Sequence, residues 1–411
     1  MSLFDMVAIL LTLAAVFSLV NYKTIKLPNG IGIMVIGLLM SIGLIVLNKI
    51  GWFSTETIQQ VFKTIDFNQA VLNGMLSFLL FAGALHVNIN KLAELADTIA
   101  ILATIGVAIS AGIVSVATFY IFMWLGIDIS YMYCLLFGVL ISPTDPIAVM
   151  GILKKIGAPK SIEVKITGES LFNDGVAVVF FIVVLELAVD PGSASFKHIS
   201  LLFLQEAVGG AVYGFIIGYI AYRMLKAVDD YQVEVLITLA LVMGGYSLAQ
   251  YLHLSGPIAI VVAGLMIGNK GRKLAMSDNT RKRLDDFWEL IDEVLNALLF
   301  LLIGVELLII QITQSYIIAS LIIIPTVLFA RFISVGLPVA LLKFKNSYSP
   351  HVIKILTWGG LRGGISVALA LSIPQGPWRD PLLTATYGVV IFSILVQGLT
   401  IGKVAAMAKK K

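Results

Sequence analysis

Long apolar runs separated by short polar stretches make up almost the whole chain. They lie at about 3–20, 29–47, 67–85, 98–124, 131–153, 167–189, 199–222, 231–251, 254–269, 285–309, 312–342, 351–372 and 382–402. Most runs reach or exceed the ~20 residues that an α-helix needs to cross the ~30 Å hydrocarbon layer. The pattern predicts an all-α polytopic membrane protein with thirteen transmembrane helices. It leaves no polar stretch long enough for a soluble domain. The weakest break in the pattern is at 251–256, around His253 and Gly256.

Composition points the same way. The chain has 411 residues, 59% of them hydrophobic and 13% charged, against roughly a quarter charged in soluble proteins. The net charge of +4 would suggest nucleic acid or anionic lipid only if the basic residues clustered on one surface, and here they are spread among the loops. A single cysteine, Cys134, rules out an internal disulfide. The N-terminal run has Asp5 near its start and Lys23 and Lys26 after its end. A signal peptide has the opposite order of charge, so the run is read as a retained helix. The C-terminal "KVAAMAKKK" is too short for a large cytoplasmic regulatory domain.

Charge sets direction, because cytoplasmic loops are rich in lysine and arginine. Most of the 28 basic residues follow odd-numbered runs: Lys23, Lys26, Lys91, Lys154, Lys155, Lys160, Lys165, Arg223, Lys226, the cluster Lys270 to Arg283, Lys343, Lys345, Lys354, Lys403 and Lys409 to Lys411. Even-numbered runs are followed by Lys49, Lys63, Lys197 and Arg379. The N-terminus is therefore expected outside and the C-terminus inside. With thirteen spans, runs 1–6 and 8–13 cross in opposite directions and can form an inverted six-helix repeat.

Two runs at corresponding places, the fifth and the twelfth, are interrupted. The fifth carries "SPTDPIAV" from Ser142 to Val149. Proline removes a backbone donor and disfavours helix in the residue before it, so the helix should open near Ser142 to Asp145. A half-helix should then restart at Pro146 with Asp145 as its N-cap. The twelfth carries "GGLRGGISVALAL" from Gly359 to Leu371, in which four glycines bracket Arg362. If the breaks cross, Arg362 and Asp145 offset the charges of the half-helix ends that meet there. Paired broken helices near mid-membrane mark transporter binding sites. A capped proline kink and small-residue packing are the plainer readings of each motif alone.

The sixth run opens with "GESLFNDGVAVV", Gly168 to Val179. Ser170 and Asp174 are four apart and share a helix face, whereas Glu169 is turned about 140° away. Intramembrane acids are costly and usually functional. An aspartate there is satisfied either by a proton or by a cation, and competition between the two is the minimal chemistry of an exchanger. Glu169 is expected to pair with Arg331, which stands mid-membrane in the eleventh run. Asp292 and Glu293 either line a cytoplasmic funnel or belong to a solvated helix end.

Together the three motifs resemble the monovalent cation/proton antiporter-1 family of NhaP-type and NHE-type sodium/proton exchangers, and the thirteen-run plan extends the resemblance over essentially the whole chain. The resemblance implies a discontinuous-helix antiporter fold in a homodimer in the cell membrane, serving pH homeostasis. It implies a core bundle near 66–189 and 285–402 that moves like an elevator against a dimerisation bundle near 1–65 and 198–269. It implies that Asp174 carries the ion or the proton. Asn173 is its neighbour in the motif, and Ser170, Thr144 and Asp145 complete a Na+ site with it. Glu169 and Arg331 form a supporting pair, and the Asn-Asp order goes with electroneutral one-for-one exchange. No cofactor is implied beyond the transported Na+ or Li+ and H+, and membrane lipid is the surrounding partner. One position departs: relatives often carry an acid on the third run, where this chain has Ala82 in "FLLFAGALHVN". That removes one ligand. His86 on the same run is either an interfacial histidine or a pH sensor. A K+/H+ exchanger of the same fold, a gated channel and an intramembrane aspartyl protease using two aspartates are the competing functions. The chain has no Gly-x-Gly-Asp signature of such a protease, nor a phosphate-binding loop or nucleophile triad.

Overall fold

A computed structural model of the chain describes residues 3–51, 74–146, 149–151, 153, 160–190, 196–272, 275–306, 308, 313–342 and 351–406. The elements are α1 Leu3–Val20, α2 Asn29–Lys49, α3 Leu76–Leu85, α4 Ile89–Glu94, α5 Ala96–Trp124, α6 Tyr131–Leu140 and α7 Lys160–Val189. They continue with α8 Ile199–Lys226, α9 Tyr231–Tyr251, α10 Gly256–Gly271, α11 Asp278–Glu306, α12 Gln314–Leu342, α13 Val352–Trp358, α14 Gly364–Leu371 and α15 Arg379–Ala406. The chain is all-helical, and among the described residues eight helices are long and apolar enough to cross a membrane.

Helices form where the apolar runs are, and their ends have local causes. Asp230 accepts from the amides of Gln232 and Val233 to start α9, and Ser255 accepts from Ile258 to start α10 with Pro257 in its first turn. The weak break at 251–256 is therefore a real one, with His253 left-handed at φ +53°. Helix α7 starts earlier than the apolar pattern indicated. Lys165, read as a loop lysine, consequently lies inside it and is buried. Residues 67–73, much of the half-helix after Pro146, and Lys63, Lys154, Lys155, Lys273, Lys343, Lys345 and Lys409 to Lys411 lie outside the described residues.

Packing sorts the helices into two groups. In one, α6 packs on α5 and α7, and α12 packs on α5, α13 and α15. In the other, α11 lies along α2 and reaches α1, α3 and α9, while α10 packs on α3, α8 and α9. Helices α3 and α11 thus associate with α2, α9 and α10, although the division expected from sequence joins them to the core bundle. Close contacts rely on small residues, as is usual where lipid supplies no hydrophobic drive between helices. A Cβ on Gly138 of α6 would come within 2.3 Å of the Ala111 carbonyl of α5.

Candidate functional site

The two interruptions cross. Residues 141–146 leave the helix after α6, residues 359–363 leave it between α13 and α14, and the extended segments meet antiparallel at Asp145 and Leu361. The Asp145 amide donates to the Leu361 carbonyl at 2.7 Å. Proline is the cause in the fifth run and glycine in the twelfth.

Fixed charge sits where the helix ends need it. Arg362 is buried, and its Nη1 donates to the carbonyls of Ser142 at 2.6 Å and Pro143 at 2.9 Å. These carbonyls follow the C-terminal end of α6, the negative pole of that half-helix. Asp145 reaches across to the other interrupted run. Its Oδ2 lies 2.1 Å from where a Cβ on Gly363 would stand, and Gly363 is the N-cap of α14. The carboxylate therefore rests against the positive end of the other half-helix, and only glycine at 363 leaves room for it.

Helix α7 presents three polar side chains to this crossing. Ser170 Oγ donates to the Thr144 carbonyl. Asn173 Nδ2 donates to Thr144 Oγ1 at 3.0 Å, and its Oδ1 accepts from the Thr144 amide at 3.4 Å. Both halves of the amide are thus spent on Thr144, and Asn173 is not among the residues facing the cavity described next. One residue of rotation, about 100°, separates it from Asp174, which does face it.

The cavity has a volume of about 540 Å³. Asp174, Ser170, Thr144, Asp145 and Gly363 line it, together with Leu79 and Gly83 of α3 and Asp292 of α11. It runs out to His86, Lys91 and Lys160, all exposed. Next to Asp174, Gly175 packs against Ile258 of α10, at 2.8 Å from an added Cβ. Asp174 is 7% exposed and has no hydrogen-bond partner among the described residues; the nearby charge acting on it is that of Asp145. Five residues earlier, Glu169 accepts from Arg331 Nη1 at 2.5 Å, and Arg331 Nη2 donates to the Leu356 carbonyl at 3.2 Å. Gly360 gives that arginine its space, since a Cβ there would stand 2.5 Å from Nε.

A family model for the transmembrane sodium/hydrogen exchanger matches residues 9–406. The chain belongs to the sodium/hydrogen exchanger family. It is similar to the Na(+)/H(+) antiporter NhaP of Pseudomonas aeruginosa, with 48% identity over 403 residues, 97% of this chain and 95% of that protein. It is also similar to the Na(+)/H(+) antiporter NhaH of Halobacillus aidingensis, with 34% identity and 92% and 91% of the two chains covered. Among solved structures it shares the fold of the sodium proton antiporter MjNhaP1 from Methanocaldococcus jannaschii, with a TM-score of 0.79, 20% identity and 99% of each chain covered.

Within this exchanger fold the residues singled out from sequence divide by position. Asp174, Ser170, Thr144 and Asp145 line one cavity, Asn173 and Arg362 brace the crossing outside it, and Glu169 and Arg331 pair away from it. Ala82 is buried in the apolar cluster of α3, α9 and α10, off the cavity. Its neighbour Gly83 lines the wall instead. Two further braces come from α15 and left no mark in the sequence. Ser393 Oγ accepts from the Arg362 amide at 2.9 Å and donates to Gln397 Oε1 at 2.8 Å, and Gln397 Nε2 donates to the Trp358 carbonyl at 3.0 Å.

Proposed function

We propose that this multi-pass membrane protein is a Na+ (or Li+)/H+ antiporter of the cell's plasma membrane. It exchanges one cation for one proton, with Asp174 as the carrier of either. The observation that carries this reading is a carboxylate with no hydrogen-bond partner among the described residues, set in the wall of a cavity. Around it lie neutral oxygens of Ser170 and Thr144 and a second acid, Asp145. A charge left bare at so buried a position is costly, and protonation or a bound cation each removes that cost. The two exclude one another, so movement of the loaded site couples their fluxes.

The family is one of transporters, which leaves no role for a protease dyad. Thirteen spans with an outside N-terminus and an inside C-terminus agree with the basic residues at the cavity mouth, Lys91 and Lys160. On that orientation the cavity faces the cytoplasm. The crossed breaks at corresponding places in the two halves support an inverted repeat. The packing groups support a moving core of α5–α7 and α12–α15 against a scaffold of α1–α3 and α8–α11. The scaffold's exposed apolar helices, α1 and α8, offer a surface for a homodimer or for lipid.

The test is a ΔpH measurement in everted vesicles. Na+ and Li+ should collapse the gradient and K+ should do so weakly, while Asp174→Ala should abolish the response. The apparent KM for Na+ should rise as pH falls, with Vmax unchanged, because the proton competes for the same carboxylate. A full response in Asp174→Ala sinks the assignment, and a K+ response exceeding that of Na+ makes the protein a K+/H+ exchanger.

A further inference from the structure

The antiport mechanism above has no role for Asp292, yet the fold places it facing the candidate site. It lies on α11, half-buried, and lines the same cavity as Asp174. It is close enough to Asp145 for the two carboxylates to repel. Asn296, one turn further along α11, hydrogen-bonds its carboxylate, and Asn296 is buried. Asp292 is thus held in place by a buried partner, whereas its neighbour Glu293 is exposed. The other charged groups near it are Glu289 and Glu293 on its own helix, and His86, Lys91, Lys160 and Glu163 towards the mouth.

The decisive fact is which body it belongs to. Helix α11 packs chiefly along α2 and against α1, α3 and α9, in the group proposed as scaffold, and touches α14 of the moving group only lightly. Asp174 and Asp145 are on the group proposed to move.

We propose that Asp292 is a cation-gathering residue fixed to the scaffold, which promotes loading of Asp174 from the cytoplasmic face and is without influence when the core presents the site to the outside. This rests on the elevator reading given above. A negative charge in a narrow cavity with low-dielectric walls concentrates cations near it. Its field draws Na+ and H+ alike, since both carry one positive charge. Affinities for both on that face change by the same factor, so the exchange ratio and the equilibrium of the coupled reaction are untouched. Only the concentration at which the cytoplasmic site fills is altered. A second signature follows from competition: where protons compete strongly, the shared factor cancels from the apparent KM for Na+. The effect of removing the charge is therefore largest at alkaline pH and fades as pH falls.

The experiment compares wild type, Asp292→Asn and Asp174→Ala, as full-length protein, in everted and in right-side-out vesicles, with Na+ and Li+ titrated against ΔpH. For Asp292→Asn in everted vesicles at alkaline pH, the apparent KM for both cations should rise about three- to tenfold, and more at low ionic strength. Vmax should be unchanged, and in right-side-out vesicles KM should equal that of wild type. Asp292→Glu should behave as wild type. Should Asp292→Asn be poorly made, Asp292→Cys serves in its place. The only other cysteine, Cys134, is buried, and reaction of the new thiol with an anionic methanethiosulfonate should restore the wild-type KM while a cationic one should not. Equal KM shifts on both faces, no shift on either, or a fall in Vmax alone would each overturn the proposal. Failure of wild type to exchange, or exchange by Asp174→Ala, would instead break the antiport reading, so the two are told apart.

Discussion

Glu169 and Asp174 stand five residues apart on one helix and live in opposite circumstances. Glu169 is 1% exposed and holds Arg331 at 2.5 Å. Asp174 lines a cavity and has no hydrogen-bond partner among the described residues. The rotation between them, about 140°, turns the first towards α12 and the second towards the cavity. The same side chain chemistry is thereby fixed at one place and exchangeable at the other. A carboxylate whose charge is already answered by an arginine has no reason to bind sodium. One whose charge is answered by nothing permanent must take whatever cation or proton arrives.

The largest effect comes from removing the difference at Asp174. Asp174→Asn should abolish Na+-dependent ΔpH collapse while leaving thermal stability in detergent equal to or above wild type, because a buried ionisable group is replaced by a neutral one of the same shape. A loss of fold on this change would mean that Asp174 is a structural partner like Glu169, and the contrast between them would fail.

The next largest effect should show the reverse pattern. Arg331→Ala leaves Glu169 buried without its counter-charge, and breaking such a pair costs about 3–5 kcal/mol. The melting temperature should therefore drop sharply, and activity should fall with the amount of folded protein. The double change Glu169→Gln with Arg331→Met should recover much of the stability and a corresponding part of the exchange. If the double variant is stable but inert, the pair has a role in transport beyond holding α7 to α12.

An intermediate effect is expected where glycine admits a charge. Gly363→Ala would place a methyl 2.1 Å from Asp145 Oδ2, and overpacking of this kind costs roughly 1–3 kcal/mol. The carboxylate must leave its seat at the start of α14, so the apparent KM for Na+ should rise several-fold with Vmax less affected. Gly360→Ala would instead crowd Arg331 and should lower stability with little change in KM. Measuring both quantities for both variants locates the cation site at one glycine and the ion pair at the other; the same response from each would contradict the division.

Much of the site was legible because charge in lipid is so costly that it stands out. Asp145, Glu169, Asp174, Arg331 and Arg362 were visible for that reason, and the Glu169–Arg331 pairing followed from the need of each for a partner. Proline and glycine marked both interruptions. What the sequence could not carry was the angular setting of one helix against another. Nothing local says that Asp145 leans on the opposite half-helix, that Asn173 turns both its groups to Thr144, or that Gly83 rather than Ala82 faces the cavity. The grouping of α3 and α11 is of the same kind, because it depends on which apolar face meets which neighbour. Ser393 and Gln397 were invisible for a different reason: one hydroxyl and one amide in a spanning helix are ordinary until their partner is seen to be the broken backbone.

Those two residues provide the smallest test of how the crossing is held. Ser393 accepts from the Arg362 amide and donates to Gln397 Oε1, and Gln397 Nε2 in turn donates to the Trp358 carbonyl at the end of α13. Ser393→Ala removes two hydrogen bonds, each worth about 1 kcal/mol, but the Gln397 to Trp358 bond and the Asp145 to Leu361 bond remain. Arg362 also keeps its hold on the Ser142 and Pro143 carbonyls. The crossing should therefore persist, with melting lowered by a few degrees and the apparent KM for Na+ within about twofold of wild type. Ser393→Thr, which keeps the hydroxyl, should be indistinguishable from wild type. If Ser393→Ala instead loses exchange outright while remaining folded, the geometry around Asp174 is set by α15, and the contacts between the two interrupted segments are not what fixes the site.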